Sequence, residues 1–217
     1  MNDRHNYIST ITGVREVALA GTADLVYWRR QLQEEDWPLP EQDGRASLLL
    51  TAIEAKFRGI PFRELSISVL LADGGAFLAQ AFNSSRLLAF AERVFFQTPY
   101  QLAELPMSEQ YPTQMAASHA GHTLFAASMG GRRTPEREED VLFEGPIYLP
   151  DRGKVFYARL SGTAAIYAYD ATDTATFEPR LDVKSLVFAQ LSESGFAGKE
   201  WFIRSKAVHA RSKTYER

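Results

Sequence analysis

Residues 46–71 read ASLLLTAIEAKFRGIPFRELSISVLL, two apolar runs separated by Arg58-Gly59-Ile60-Pro61. Glycine and proline supply turn chemistry at hairpin length, so Ala46 to Phe57 and Phe62 to Leu71 are expected to pair as strands. The second run alternates. Strand side chains repeat every two residues, which puts Phe62, Glu64, Ser66 and Ser68 on one face and Arg63, Leu65, Ile67 and Val69 on the other.

Downstream, Asp73-Gly74-Gly75 is a tight turn into a further strand, Ala76 to Phe82. Asn83-Ser84 caps a helix from Ser85 to Phe96, in which Leu87, Leu88, Ala91, Val94 and Phe95 form an apolar stripe. Pro99 stops it, because the residue before a proline is driven out of the helical region. Upstream, Val14 to Ala20 reads as a strand, Gly21-Thr22 as a turn and N-cap, and Ala23 to Gln33 as a helix burying Leu25, Trp28 and Leu32. Acidic, proline-bearing Glu34 to Gly44 is expected to be a loop.

Further strands are expected at Gln101 to Leu105, Gln114 to His119, His122 to Met129, Val141 to Tyr148, Lys154 to Leu160, Ala164 to Tyr169 and Trp201 to Arg211. Polar Gly130 to Asp140 reads as an exposed hairpin loop, and Val183 to Ser192 fits either a short helix or a strand. Many strands with a few inserted helices and no internal repeat argue for one domain over residues 1–217, a β-rich α+β barrel or sandwich.

Composition narrows the chemistry. The 217 residues carry 24 Lys+Arg against 27 Asp+Glu, a formal charge of -3, and no cysteine. Phosphate binding needs a basic excess that is missing, so nucleic acid is not expected as a partner. Disulfides, thiolate metal sites and cysteine nucleophiles are excluded together. Met1 to Arg15 has no apolar core of the kind a signal peptide or membrane helix needs, so a cytoplasmic protein without membrane contact is expected. There is no Gly-x-Gly-x-x-Gly, no phosphate-binding Gly-Lys-Ser/Thr loop, no Gly-x-Ser-x-Gly elbow and no His-Glu-x-x-His. No cofactor is expected. His119 and His122 flank a probable Ala120-Gly121 turn, but no third ligand recommends itself, so no metal is expected either. His209, in the basic tail Lys206 to Lys213, reads as a solvated strand end.

Glu64 stands out as a carboxylate within an apolar-flanked strand. Turned inward it would be desolvated, its pKa raised, and it would suit general acid or base work; the alternative is a structural pair with a neighbouring arginine. Arg58 and Arg63 could hold a substrate carboxylate or simply be solvated. Tyr100, at a helix-to-strand corner, could pack its ring or point its hydroxyl into a cavity.

Several segments together resemble the acetoacetate decarboxylase superfamily: Pro61-Phe62-Arg63-Glu64-Leu65-Ser66-Ile67, Ala81-Phe82-Asn83-Ser84, Glu92-Arg93-Val94-Phe95-Phe96-Gln97-Thr98-Pro99-Tyr100, Phe143 to Pro150 and Ala158 to Gly162. The resemblance is to a divergent branch in which Pro-Tyr replaces the decarboxylases' Pro-Lys-Lys. It implies a closed, cone-like antiparallel β-barrel with peripheral helices, an interior cavity and homo-oligomers. It places Tyr100 where the family's Schiff-base lysine stands and Gln101 at its cationic neighbour, and neither can form an imine. It puts Glu64 on a cavity glutamate of the family, with Glu54 a candidate for a second.

Three readings of function follow. In the first, Glu64 and Tyr100 transfer protons or hydrogen-bond a small carbonyl or carboxylate compound, helped by Arg93, Gln101 and Arg63. In the second, a lyase or aldolase-like enzyme uses Lys56 as a relocated amine nucleophile. In the third, the 14 Phe, 9 Tyr and 3 Trp fill the barrel and the protein is structural.

Overall fold

The computed structural model describes residues 6–32, 36–40, 43–151, 153–178 and 186–217. β1 (Tyr7–Asp24) runs directly into α1 (Leu25–Gln31). The central hairpin is β2 (Arg45–Phe57) and β3 (Ile60–Leu70), followed by β4 (Ala76–Asn83), α2 (Arg86–Phe95) and β5 (Tyr100–Leu102). Three shorter strands, β6 (Met107–Ser108), β7 (Gln114–His119) and β8 (His122–Ser128), precede two long ones, β9 (Arg137–Tyr148) and β10 (Lys154–Ala168). Then come β11 (Thr174–Phe177), α3 (Leu186–Glu193), β12 (Ala197–Ser212) and β13 (Tyr215–Glu216).

The expected hairpin forms, but its turn is only Arg58-Gly59, both at positive φ, with Ile60 and Pro61 already paired to Phe57 and Lys56. From it the sheet closes on itself in the order β12-β1-β2-β3-β4-β9-β10 and back to β12. Closure removes the open edges that a long flat sheet would expose. One junction departs from the expected antiparallel pattern: β4 and β9 run parallel, joined at Ala76–Ile147 and Phe77–Tyr148. The far half of β4 is taken by β5, also parallel, through Ala81–Tyr100. The excursion through β6, β7 and β8 returns the chain to the end of the ring where β4 began, which makes this junction parallel.

The main core lies outside the ring. Leu65, Ile67 and Val69 of β3 point outward with Val17, Leu19, Phe82 and Trp201. The second sheet, β11-β8-β7-β6, and α3 cover them with Met115, Leu124, Phe125 and Phe188. Phe188 stacks on Phe82 at 5.3 Å and on Phe125 at 5.6 Å. Each such buried ring contributes about 1.5–3 kcal/mol of transfer free energy. The opposite face of the same strands lines the ring interior. Two smaller apolar groups sit there, one around Ala81, Tyr100, Ile147 and Phe156, the other around Val14, Ile53, Phe62 and Ala207.

Several local expectations change. Gly21-Thr22 is not a turn: β1 continues to Asp24, whose side chain caps α1 by accepting from Tyr27 N at 2.5 Å. Gly21 is glycine because a Cβ there would run into the Ala197 carbonyl and the Phe196 ring. The helix is shorter than expected, yet it buries Trp28 completely, with Nε1 donating to Ser194 Oγ at 3.1 Å. Acidic 137–140 is strand, not loop, because it pairs with Thr163 to Ile166 on β10 where its side chains stay in solvent. Residues 186–193 form a helix; 183–185, Lys184 among them, and 1–5, His5 among them, lie outside the described residues, as does part of 34–44. Among the described residues, no helix is long and apolar enough to cross a membrane.

The stripe on α2 is the largest departure. Leu87, Phe90, Val94 and Phe95 are 61%, 51%, 47% and 73% exposed, while Leu88, Ala89 and Glu92 face the ring. The helix lies over one mouth of the ring and is anchored by a mixed polar and apolar face, so amphipathic spacing alone does not select the side that turns inward.

Candidate active site

Directly opposed residues on neighbouring strands share a face. Glu64 on β3 opposes Ile53 on β2, Ile53 opposes Glu16 on β1, and Glu16 opposes Arg204 on β12. This row crosses four strands on the inner wall. His209 opposes Ile11 and Leu160, and Arg211 opposes Ala158, so both reach the same interior from β12. Tyr100 joins the wall through Ala81, which itself opposes Ser66.

The local sequence explains why Tyr100 turns in. Ser85 Oγ caps α2, and Thr98 Oγ1 donates to the Glu92 carboxylate at 3.0 Å after the helix ends. Gln80 Nε2 donates to the Pro99 carbonyl, which fixes the corner. Tyr100, 7% exposed, is thereby turned toward Glu64, close enough for each group to shift the other's protonation.

Burial pushes the Glu64 carboxyl up to about 7, because the charged form loses its hydration. The Tyr100 hydrogen bond and the His209 and Arg211 charges pull against this, and the Glu92 carboxylate adds to it. Burial likewise raises Tyr100 well above the ordinary phenol value, reinforced by the charges of Glu64 and Glu92. A carboxyl near neutrality beside a neutral phenol is equipped to take and return a proton at physiological pH.

Glu16 shows the opposite balance. It is fully buried, and burial raises its pKa, but the His209 hydrogen bond and the Arg204 charge outweigh that and hold it below the ordinary value. Arg204 Nε donates to Oε1 at 3.0 Å, a second contact runs from Nη2, and His209 Nε2 bonds Oε2 at 2.9 Å. Nearby, Arg211 Nη1 donates to Glu92 Oε2 at 2.5 Å, and its guanidinium lies between the rings of Phe96 and Phe156 at 4.6 and 4.2 Å.

Among the residues expected from sequence, the structure brings Glu64 and Tyr100 together. It sends Arg63 to the outer face, where Nε donates to Glu54 Oε2 at 2.7 Å and Arg15 shares that carboxylate. Glu54 and Lys56 also face outward, because they oppose Arg63 and Pro61; Lys56 is exposed and does not share a face with Glu64. Gln101 alternates away from Tyr100 and meets Gln80 Oε1 at 3.5 Å. Arg93 lies on α2 beside a groove of 640 Å³ lined by Arg86, Leu87, Phe90, Tyr100 and Leu102. Arg58 sits in the exposed turn, its guanidinium 5.5 Å from the Phe57 ring. His119 and His122 oppose each other across the β7–β8 turn, and no group of three potential metal ligands gathers among the described residues.

Sequence reading missed Glu16, Glu92, Arg204, His209 and Arg211. His209 is not a solvated strand end: its side chain is 15% exposed and tied to Glu16. The signal was period two. Ala207, His209 and Arg211 alternate on β12, as Val14, Glu16 and Ala18 do on β1, and both trios point inward.

A seven-strand closed ring, a covering second sheet and a helix over the mouth define the acetoacetate decarboxylase-like fold. No family model matches the chain, and no curated protein sequence matches it. Among solved structures, the chain is similar to the acetoacetate decarboxylase of Legionella pneumophila with a TM-score of 0.67 at 13% identity, over 100% of this chain and 90% of that one. It is also similar to an acetoacetate decarboxylase-like enzyme from Sphingomonas wittichii RW1, with a TM-score of 0.62 at 11% identity over 96% and 92%. The enduracididine biosynthesis enzyme MppR complexed with pyruvate gives 0.64 at 14% over 95% and 89%. At such identities the likeness establishes the fold.

Proposed function

We propose that this protein binds a small carbonyl or carboxylate compound inside the ring and acts on it by proton transfer through Glu64 and Tyr100. The observation that carries this reading is the placement of Glu64, its carboxyl pushed by burial up to about 7, beside Tyr100 on the inner wall. A solved neighbour of the same fold, MppR, is complexed with pyruvate, a ligand of the proposed size and class. Tyr100 cannot form an imine, so this reading assigns it proton transfer and hydrogen bonding only.

Saturation-transfer NMR with short oxo acids and ketones tests the reading. Binding to the native protein that is lost in Glu64→Gln and weakened in Tyr100→Phe is the expected result; undiminished binding to both variants would overturn it. The relocated-lysine alternative is tested separately by borohydride reduction with the same compounds. We expect no covalent mass at Lys56, which is exposed on the outer face, away from Glu64 and Tyr100. A reduced adduct on Lys56 would reinstate it.

The proposed assembly is a homo-oligomer that covers the outward face of α2, since four large apolar side chains on a ten-residue helix are costly to leave in water. In light scattering, the native protein should exceed the 24.4 kDa of one chain, and Phe90→Glu with Phe95→Glu should reduce the mass. A monomeric native protein would refute this.

A further inference from the structure

We infer that His209, gripped by Glu16, is the second proton-transfer group of the interior site, so that the ring serves keto–enol proton transfer on small ketones and oxo acids without a covalent amine. This rests on the proposed role of Glu64 and Tyr100 and adds the partner that such a role needs. Moving a proton from carbon to oxygen takes a base at one end of the substrate and an acid at the other.

The geometry supplies both. Glu64 and Glu16 belong to one row across β3, β2 and β1, separated only by Ile53, and two cross-strand steps span about 10 Å. His209 fills part of that span from β12, anchored at 2.9 Å to Glu16 Oε2. Glu16 is completely buried and doubly bonded to Arg204, so it is held as a carboxylate and accepts. With Nε2 of His209 engaged by Glu16, Nδ1 is the ring nitrogen left to face a bound compound. A buried carboxylate orienting a histidine in this way is the arrangement by which other proton-transfer sites fix a tautomer. Among the described residues, the charged and titratable groups that act on this stretch of the inner wall are Glu16 from β1, Glu64 from β3, Glu92 from α2, Tyr100 from β5, and Arg204, His209 and Arg211 from β12. Glu64 feels the charge of His209.

The step balances within the site. The Glu64 carboxylate takes a proton from the carbon next to the carbonyl. The C–H electron pair becomes the new C=C bond, and the carbonyl pair moves onto oxygen. That oxygen receives a proton from Nδ1 of the His209 imidazolium. The enol leaves, and solvent restores both groups. No oxidant, reductant or metal enters.

The test follows deuterium incorporation next to the carbonyl of pyruvate, 2-oxobutyrate and hydroxyacetone in D₂O, together with carboxyl-carbon NMR titration of Glu64. We expect the native protein to exchange at least one compound, and His209→Gln to slow it about 10²-fold. The Glu64 titration should move to higher pH in His209→Gln, because a neighbouring cation is lost. Rescue of part of the rate by His209→Lys would not follow from a merely structural role. Wild-type exchange by His209→Gln while Glu64→Gln is dead would overturn the inference and leave the Glu64 and Tyr100 reading standing. Exchange of none of the three compounds by the native protein, despite binding, would overturn it as well. If His209→Gln fails to fold, the native protein decides: the His209 ring carbons should show a second inflection where Glu64 titrates, and a single inflection would refute the coupling.

Discussion

Replacing Glu16 by alanine is expected to lower folding stability by about 3–5 kcal/mol, the cost of leaving a buried charge without its partner. Glu16 has no exposed surface, and its three contacts all come from β12: two from Arg204, whose side chain is 7% exposed, and one from His209. The alanine variant strands the Arg204 guanidinium in the ring wall with nothing to neutralise it, and chemical denaturation followed by circular dichroism measures the loss. Charge, not volume, is the cause, and a second variant separates the two. Glu16→Leu combined with Arg204→Met replaces the ion pair with apolar groups of similar size and should recover most of the loss, since such replacements are often neutral. A double variant as unstable as the single one would mean that packing around β1 and β12 is responsible instead. The pair also sets an acid limit. Because the folded pKa of Glu16 is depressed, its contribution is present above the unfolded value of 4.5 and is lost as pH falls through the folded one.

How much of this was legible in the sequence follows from which interactions are local. The β2–β3 hairpin and the face carrying Phe62, Glu64 and Ser66 could be read, because turn chemistry and period two act over neighbouring residues. The pairing of Glu64 with Tyr100 could be suggested, but the ring is delivered by a corner held by side-chain bonds from Glu92 and from Gln80, the latter 19 residues from Pro99. Closure of the ring brings Glu16 to Arg204 and His209 across more than 180 residues, and no local pattern announces that. Arg63 illustrates the converse. It neighbours Glu64 in sequence, and for that reason alone the pleat sends it to the opposite face, where Glu54 claims it. The α2 stripe failed for a different reason: periodicity marks an apolar face but not whether the chain's own core or another copy covers it.

Stability should fall as pH rises from about 4.5 to about 7, and Glu64→Gln should abolish that slope. The folded-state pKa of Glu64 is raised from 4.5 to about 7, so between those values the folded chain holds a proton that the unfolded chain has released. Folding is therefore favoured below 4.5, where both states are protonated, and loses ground until pH passes 7, where both are ionised. At 1.36 kcal/mol per pH unit the full effect is at most about 3 kcal/mol, reduced because Glu64 keeps some accessible surface. Unfolding free energies at pH 5 and pH 8 measure it. Native protein should be less stable at pH 8 by a margin that Glu64→Gln does not share, and parallel curves would show that Glu64 is not desolvated in the folded state. Tyr100→Phe sharpens the assignment. The phenol hydrogen bond lowers the Glu64 pKa, so its removal should carry the falling limb to higher pH, whereas a Tyr100 that merely packs would leave the limb in place. Glu16 and Glu64 thus pull in opposite directions, one carboxyl held ionised by Arg204 and His209 and the other raised by burial to where it gains or loses its proton near neutrality. In the proposed mechanism, that separation of two inner-wall carboxyls would let one anchor a histidine while the other exchanges its proton.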